Sequence, residues 1–128
     1  MARYGEAAVW AARMAVEEHK RPDAAWLEAT LRLNPESDSA AIKGCPRTTF
    51  LTLCGEGYVR DIPPGRYVDG RDNAGHALAL VELLFLDEDL VDASTQRLWK
   101  LAGGAEKTEN GQVEVVVALW RARLIVRP

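Results

Sequence analysis

Apolar and polar positions recur at helical spacing along most of the chain. Residues 2–20 carry small apolar residues on one face, which is typical of a helix that packs closely against a neighbour. That face comprises Tyr4, Ala7, Ala8, Ala11, Met14 and Ala15. The turn Lys20-Arg21-Pro22-Asp23 then predicts a second helix from residue 22 to about 33, because proline and an acidic residue suit a helix start. We therefore expect the chain to open with an antiparallel helical hairpin.

Three further helices follow from the same reasoning. Turn-forming residues predict a connecting loop over 34–44, with room for a short turn at 40–43. Pro46 indicates the start of a third helix that ends at Gly55. Asn73 is a candidate cap for a fourth helix over 73–86, whose apolar residues surround nearly its whole circumference and predict a central position. A short helix is expected over about 93–102.

Residues 55–72 predict an ordered loop. The pair Pro63-Pro64 removes backbone donors and favours extended conformations, so this stretch is not expected to be helical. Tyr58, Ile62 and Tyr67 are expected to dock the loop on the core, over the fourth helix.

The run over 111–120 fits two interpretations. Four valines favour a strand by propensity. Its length, the absence of a partner strand and the spacing of Val113, Val116, Val117, Trp120 and Leu124 favour a helix. We predict a helix. The whole pattern thus indicates an all-α, single compact domain of five or six helices over residues 1–128.

Composition supports this interpretation. The chain has 128 residues, of which 48% are hydrophobic and 27% charged, as expected for one globular core. No segment is apolar over a length that would span a bilayer, and there are too few cysteines for a secreted disulfide scaffold. We expect a cytoplasmic protein without membrane partners. Cys45 and Cys54, if on one helix, lie on opposite faces and cannot form a disulfide.

The basic residues concentrate in the middle of the chain. Residues 43–71 carry five basic and three acidic residues, although the whole chain has a net charge of -3. The five are Lys43, Arg47, Arg60, Arg66 and Arg71. If the fold gathers them, they form the best candidate for anion binding, aided by helix amides near Pro46. A pI near 5.4 argues against nucleic acid, which we keep as an alternative.

Cys45 is the weak candidate for catalysis. It precedes Pro46 and Arg47, where a helix start and a nearby cation would favour the thiolate. A catalytic cysteine also requires a positioned base, and the chain has only two histidines, His19 and His76. The alternative is a packed structural thiol. Neither histidine has the spacing of a metal site, and no motif for a cofactor occurs, so none is predicted.

Other conspicuous residues have structural explanations. Trp10, Trp26, Trp99 and Trp120 fall in four predicted helices, and most are expected to anchor the core. Glu82 is expected to face solvent or to pair with an arginine. Asn110 and Gln112 are expected to satisfy amides at a helix start.

Several short segments resemble a small bacterial family known only as a domain of unknown function. They are Gly44-Cys45-Pro46-Arg47, Phe50-Leu51, Leu53-Cys54, Ile62-Pro63 with Gly65 and Tyr67, and Asn110-Gly111-Gln112 followed by Ala118-Leu119-Trp120. The resemblance spans most of the chain. It implies a compact bacterial cytosolic domain, and it brings no catalytic residue, substrate or cofactor with it.

Three functions are consistent with these observations. The leading hypothesis is a non-enzymatic interaction or regulatory module whose partner is another protein or a second copy of the chain. The alternatives are an anion or nucleic-acid binder that uses residues 43–71, and a cysteine-dependent enzyme centred on Cys45.

Overall fold

The computed structural model describes residues 3–35, 44–68, 74–104 and 108–128, and the regular secondary structure of these segments is helical apart from one isolated bridge. Their helices are α1 (Tyr4–Glu17), α2 (Pro22–Leu33), α3 (Gly44–Gly55), α4 (Ala74–Leu86), a 3-10 helix (Glu88–Asp92), α5 (Thr95–Leu101) and α6 (Gln112–Arg121). The described helices share one hydrophobic core. The predicted all-α class is therefore confirmed. The predicted turn at 40–43 and the cap Asn73 lie outside the described residues.

The opening hairpin forms as predicted. Ala7, Ala8 and Ala11 of α1 and Ala25 and Ala29 of α2 are fully buried, so small side chains allow the two helices to approach closely. The first helix ends at Glu17, three residues earlier than predicted.

The early end of α1 has a local cause. His19 takes a left-handed backbone conformation with φ 55°, which a continuing helix does not permit. Lys20 forms an ion pair with Glu28 on α2, and this ion pair stabilises the turn between the two helices.

Helix α6 organises the packing. It contacts α1, α3, α4 and α5, and its helical conformation resolves the strand alternative. The Glu114 carboxylate accepts a hydrogen bond from the Gly5 amide at 2.6 Å, so α6 satisfies a donor at the start of α1. Its own start is capped by Glu109, which accepts from the amides of Gly111 and Val113. Of the two residues predicted to satisfy amides at this helix start, Gln112 accepts a hydrogen bond from the Asn110 amide. The Asn110 side chain instead donates to the Thr108 carbonyl oxygen.

Helix α4 is less central than predicted. Its buried face is formed by Ala77, Leu80, Val81 and Leu84. Phe85 is half-buried, and Leu86 is 81% exposed at the end of the helix. The central position predicted for α4 is taken by α6, which contacts the larger set of neighbouring α-helices.

The fifth helix is shorter than the predicted span of 93–102. The Ser94 hydroxyl accepts a hydrogen bond from the Arg97 amide and thereby sets the start of α5. The backbone leaves the helix at Ala102 and turns at Gly103, where φ is 92°. Glycine tolerates this conformation at no steric cost, so the predicted stop at Gly103 is confirmed.

Residues 56–68, here called the proline loop, are non-helical as predicted. Ile62 is buried, and Tyr58 and Tyr67 are half-buried against the core. The loop is also tied to the end of the chain by an isolated antiparallel bridge between Val59 and Ile125, which the sequence did not indicate. The two backbone bonds of this bridge join residues 60 and 124 and residues 126 and 58, each at 2.8 Å.

Candidate functional site

The four tryptophans divide into two classes. Trp26 is fully buried and stacks on Tyr4 and Phe50, with ring centroids 6.4 and 5.3 Å away. Trp99 is also buried, with its ring against His76. These two are core anchors, as predicted. Trp10 and Trp120 are half-buried, and each lines a groove on the surface.

The first groove, here called the Trp10 groove, runs along α1 between the end of α2 and α6. It has a volume of about 390 Å³ and is lined by Gly5, Glu6, Val9, Trp10, Arg13, Leu33 and Ala118. Gly5 and Arg13 are eight residues apart, so the groove follows α1 for about 12 Å, or roughly two helical turns. A Cβ placed on Gly5 would lie 2.9 Å from the Ala118 Cβ, which shows how closely α1 approaches α6 at its floor.

The charges at the rim of this groove are unequal. Glu6 pairs with Arg3, and Arg32, whose guanidinium lies 5.7 Å from the centre of the Trp10 ring, pairs with Glu28. Arg13 is exposed and forms no ion pair with any residue of the described segments. The apolar groove therefore has one uncompensated cation at its rim, which attracts a carboxylate.

The described basic residues of segment 43–71 lie in different parts of the fold. Lys43 and Arg71 lie outside the described residues. Arg47 is in the first turn of α3, which meets the beginning of α6 through Pro46 and Gly111. Arg60 contacts Arg123, which lies just beyond the other end of α6. A ten-residue helix is about 15 Å long, so Arg47 and Arg60 lie near opposite ends of α6.

Arg66 is placed elsewhere again. Its carbonyl oxygen accepts from the guanidinium of Arg21, in the turn between α1 and α2. Arg47, Arg60 and Arg66 are therefore not brought together, and anion binding by any one of them stays a prediction.

Arg60 instead joins two arginines of the C-terminal segment in a second groove, here called the arginine groove. This groove has a volume of about 620 Å³. It is lined by Arg60, Glu88, Val91, Trp120, Arg121, Arg123 and Ile125. Sequence reasoning missed Arg121 and Arg123 because they lie outside the net-basic segment. No local pattern pairs them with Arg60, because the bridge between Val59 and Ile125 is what brings the two segments together.

Cys45 is the second residue of α3, since the helix begins at Gly44 rather than at Pro46 as predicted. Its side chain is half-buried, and neither it nor Cys54 is in a disulfide. His76 is hydrogen-bonded through Nδ1 to the Ala102 carbonyl oxygen, and His19 lies in the turn between α1 and α2. No described contact therefore places a histidine at Cys45 as a base.

The two thiols are expected to differ sharply in reactivity. Cys54 is fully buried, and burial raises the pKa of its thiol far above the ordinary value, which suppresses the thiolate. We expect iodoacetamide to label Cys45 in the native protein and Cys54 only after unfolding in urea, as read by mass spectrometry. Equal labelling of both thiols in the native protein would contradict this placement. A Cys45 that reacts no faster than free cysteine at neutral pH would end the hypothesis of a cysteine-dependent enzyme.

Glu82 pairs with an arginine, which is one of the two alternatives predicted for it. Its carboxylate accepts a hydrogen bond from the Tyr58 hydroxyl at 3.0 Å, and its other oxygen lies 3.6 Å from the guanidinium of Arg127. Partial burial and this carboxylate raise the pKa of Tyr58. The contact holds the proline loop on α4, so it is structural. In the described segments, no group of three or more His, Cys, Asp or Glu residues is arranged to hold a metal ion.

The described helices form a small all-helical domain with two open grooves on its surface. Residues 1–126 match the model of a family of unknown function, DUF6979, and the chain belongs to this family. The comparisons gave no match to a curated protein or to a solved structure. None of the helices in the described ranges combines the length and the apolar character needed to cross a membrane.

Proposed function

We propose that this protein is a non-enzymatic interaction module that binds a helical segment of another protein in the Trp10 groove. The observation that carries the proposal is the position of Trp10, half-buried in an apolar groove with arginines at its rim. Tryptophan and arginine are the residues that most often dominate binding energy at protein interfaces. We place the module in the bacterial cytoplasm as part of the same proposal, which two cysteines outside any disulfide support.

The shape of the groove favours a helix as its occupant. Val9, Trp10 and Leu33 supply an apolar wall, and the groove runs along α1 for about two turns. An amphipathic helix laid in such a groove inserts apolar side chains from successive turns. This match in length and polarity explains why we name a helical peptide rather than a small molecule.

The charge at the rim specifies the partner further. Among the arginines near this groove, Arg13 forms no ion pair with a described residue, whereas Arg3 and Arg32 already have carboxylate partners. A bound helix gains most if it carries a carboxylate one turn beyond its apolar residues, at the Arg13 end of the groove. The proposed partner is therefore an acidic amphipathic helix.

Two peptides and one charge reversal test this proposal. The probes are helix-forming peptides with the same leucine face, one with glutamates and one with lysines at the flanking positions. The native protein is expected to bind the acidic peptide about two- to fivefold more tightly than the basic one. Arg13→Glu is expected to bind the basic peptide more tightly by a similar factor, which is the size of effect that an exposed ion pair gives. Affinities are measured by fluorescence anisotropy of labelled peptides.

Two more variants show whether binding occurs at the groove. Trp10→Ala is expected to lower the affinity for the acidic peptide by about 30-fold, which is the effect typical of an interface hot spot. Leu101→Ala is the matched control, because Leu101 is a large apolar residue on α5 that is 46% exposed and does not line the groove. Equal losses in both variants, or no change of preference in Arg13→Glu, would contradict the proposal.

Self-association is the other outcome for this surface. Light scattering decides between them, since we expect a monomer in the absence of the peptide. The outer face of α2 exposes Leu27 and Leu31, but two side chains are far below the roughly 800 Å² per partner of a typical stable interface. A dimer that Arg13→Glu dissociates would make a second copy the occupant of the groove.

A further inference from the structure

The arginine groove lies at the C-terminal end of α6. We infer that it binds a small phosphomonoester with a flat aromatic group. The inference rests on Arg60, Arg123 and Trp120, which line the groove together, and it does not depend on the Trp10 groove.

The two principal arginines are held in place by backbone structure. The bridge between Val59 and Ile125 fixes the proline loop beside the C-terminal segment. Arg60 also donates from Nε to the Arg123 carbonyl oxygen at 3.1 Å, which restricts its side chain. The terminal nitrogens of Arg60 have no partner among the described residues and are available to an anion. A site that is fixed before binding loses less conformational entropy when the ligand arrives.

The backbone of Arg123 is strained. Its φ of 62° lies in the left-handed region, where glycine is the usual residue just beyond a helix end. The amides of Arg123 and Leu124 close the end of α6 by bonding to the carbonyl oxygens of Trp120 and Leu119. An arginine at this position also places a second cation beside Arg60. An anion bound to the side chain would offset both costs.

The nearby carboxylates leave the groove positive. Arg121 is paired with Asp92, with its guanidinium 2.9 Å from the carboxylate, and also donates to the Val91 carbonyl oxygen. Glu88 lines the groove and offsets one further charge. Three arginines against these two carboxylates leave one net positive charge. The guanidinium groups also supply forked donors that match phosphate oxygens.

The dimensions of the groove indicate more than inorganic phosphate. Its volume of about 620 Å³ falls in the usual range for small-molecule sites. Val91, Ile125 and the ring of Trp120 form its apolar part, and Trp120 is fixed by an edge contact with Phe85, whose centroid is 5.3 Å away. A flat ring attached to the phosphate can lie against this wall.

The test uses phenyl phosphate and inorganic phosphate as probes, with binding followed by the NMR signal of the Trp120 indole N–H. Phenyl phosphate is expected to shift this signal and to bind more tightly than inorganic phosphate. The affinity for phenyl phosphate is expected to fall about tenfold or more in each of Arg60→Gln and Arg123→Gly. The control is Arg97→Gln, at an exposed position of α5 outside the groove, which is expected to leave this affinity unchanged.

Arg123→Gly adds a second measurement, because glycine relieves the strained backbone. This variant is expected to unfold at a higher temperature while it loses the ligand. An unchanged affinity in both Arg60→Gln and Arg123→Gly would overturn the inference. Equal affinity for the two probes would overturn the role of Trp120. Preferential binding of a single-stranded oligonucleotide, weakened by the same variants, would assign the groove to nucleic acid instead.

Discussion

Replacing Trp26 with alanine is expected to lower the free energy of unfolding by about 3–5 kcal/mol. Trp26 is the largest of the fully buried side chains, and it lies between the rings of Tyr4 and Phe50. Its removal leaves a cavity where α1, α2 and α3 meet. For a domain of this size such a loss is a large part of the total stability, which is about 5–15 kcal/mol in typical proteins.

Trp26→Phe is the matched control. It keeps an aromatic ring in the stack and removes the indole N–H, which is buried without a hydrogen-bond partner in the part of the chain that the structure describes. We expect it to cost less than half as much as Trp26→Ala, because losing an unsatisfied buried donor offsets part of the lost volume. Urea unfolding followed by circular dichroism measures both variants. Similar losses for phenylalanine and alanine would show that the indole, rather than the filled volume, stabilises this region.

Gly55→Ala is expected to destabilise the protein by about 1–3 kcal/mol, the usual cost of overpacking. A Cβ at this position would lie 2.6 Å from the Gly65 carbonyl oxygen, a backbone atom that no side-chain rotation can move. The Gly65 amide also donates to the Gly55 carbonyl oxygen at 3.1 Å. The added methyl group therefore forces the proline loop away from the end of α3.

Gly75→Ala, at another helical glycine, is expected to stabilise the protein. Nothing lies within 4 Å of a Cβ built there, so the helix gains about 0.5–1 kcal/mol from reduced backbone freedom in the unfolded chain. Thermal unfolding of the two variants should therefore move in opposite directions. A stabilised Gly55→Ala would contradict the close contact between α3 and the proline loop.

Local signals in the sequence account for the helices but not for their ends. Pro22 and Gly55 mark a start and a stop that agree with the structure, because their effects act within one turn. Pro46 predicts a helix start at its own position, yet α3 begins two residues earlier at Gly44. Proline is tolerated throughout the first turn, where its missing N–H has no intrahelical acceptor, so the exact start was not determined by proline alone.

Contacts between segments far apart in sequence explain the features that local sequence patterns could not predict. The bridge of Val59 to Ile125 joins residues far apart along the chain, and neither flanking segment has the alternation of a regular strand. This bridge brings Arg60 to Arg123, so the arginine groove depended on information that no local pattern contains. Trp10 and Trp26 likewise have similar apolar neighbours in sequence, but only Trp26 is covered on both sides by other aromatic rings.

The most direct test of the proposed interaction module uses the four tryptophans as reporters. They lie on α1, α2, α5 and α6, and Trp10 and Trp120 each line a different groove. In an NMR titration with the acidic helical peptide, the indole N–H signal of Trp10 is expected to shift and to saturate, while those of Trp26, Trp99 and Trp120 remain in place. A stationary Trp10 signal in the presence of bound peptide, or a shift confined to Trp120, would contradict the account.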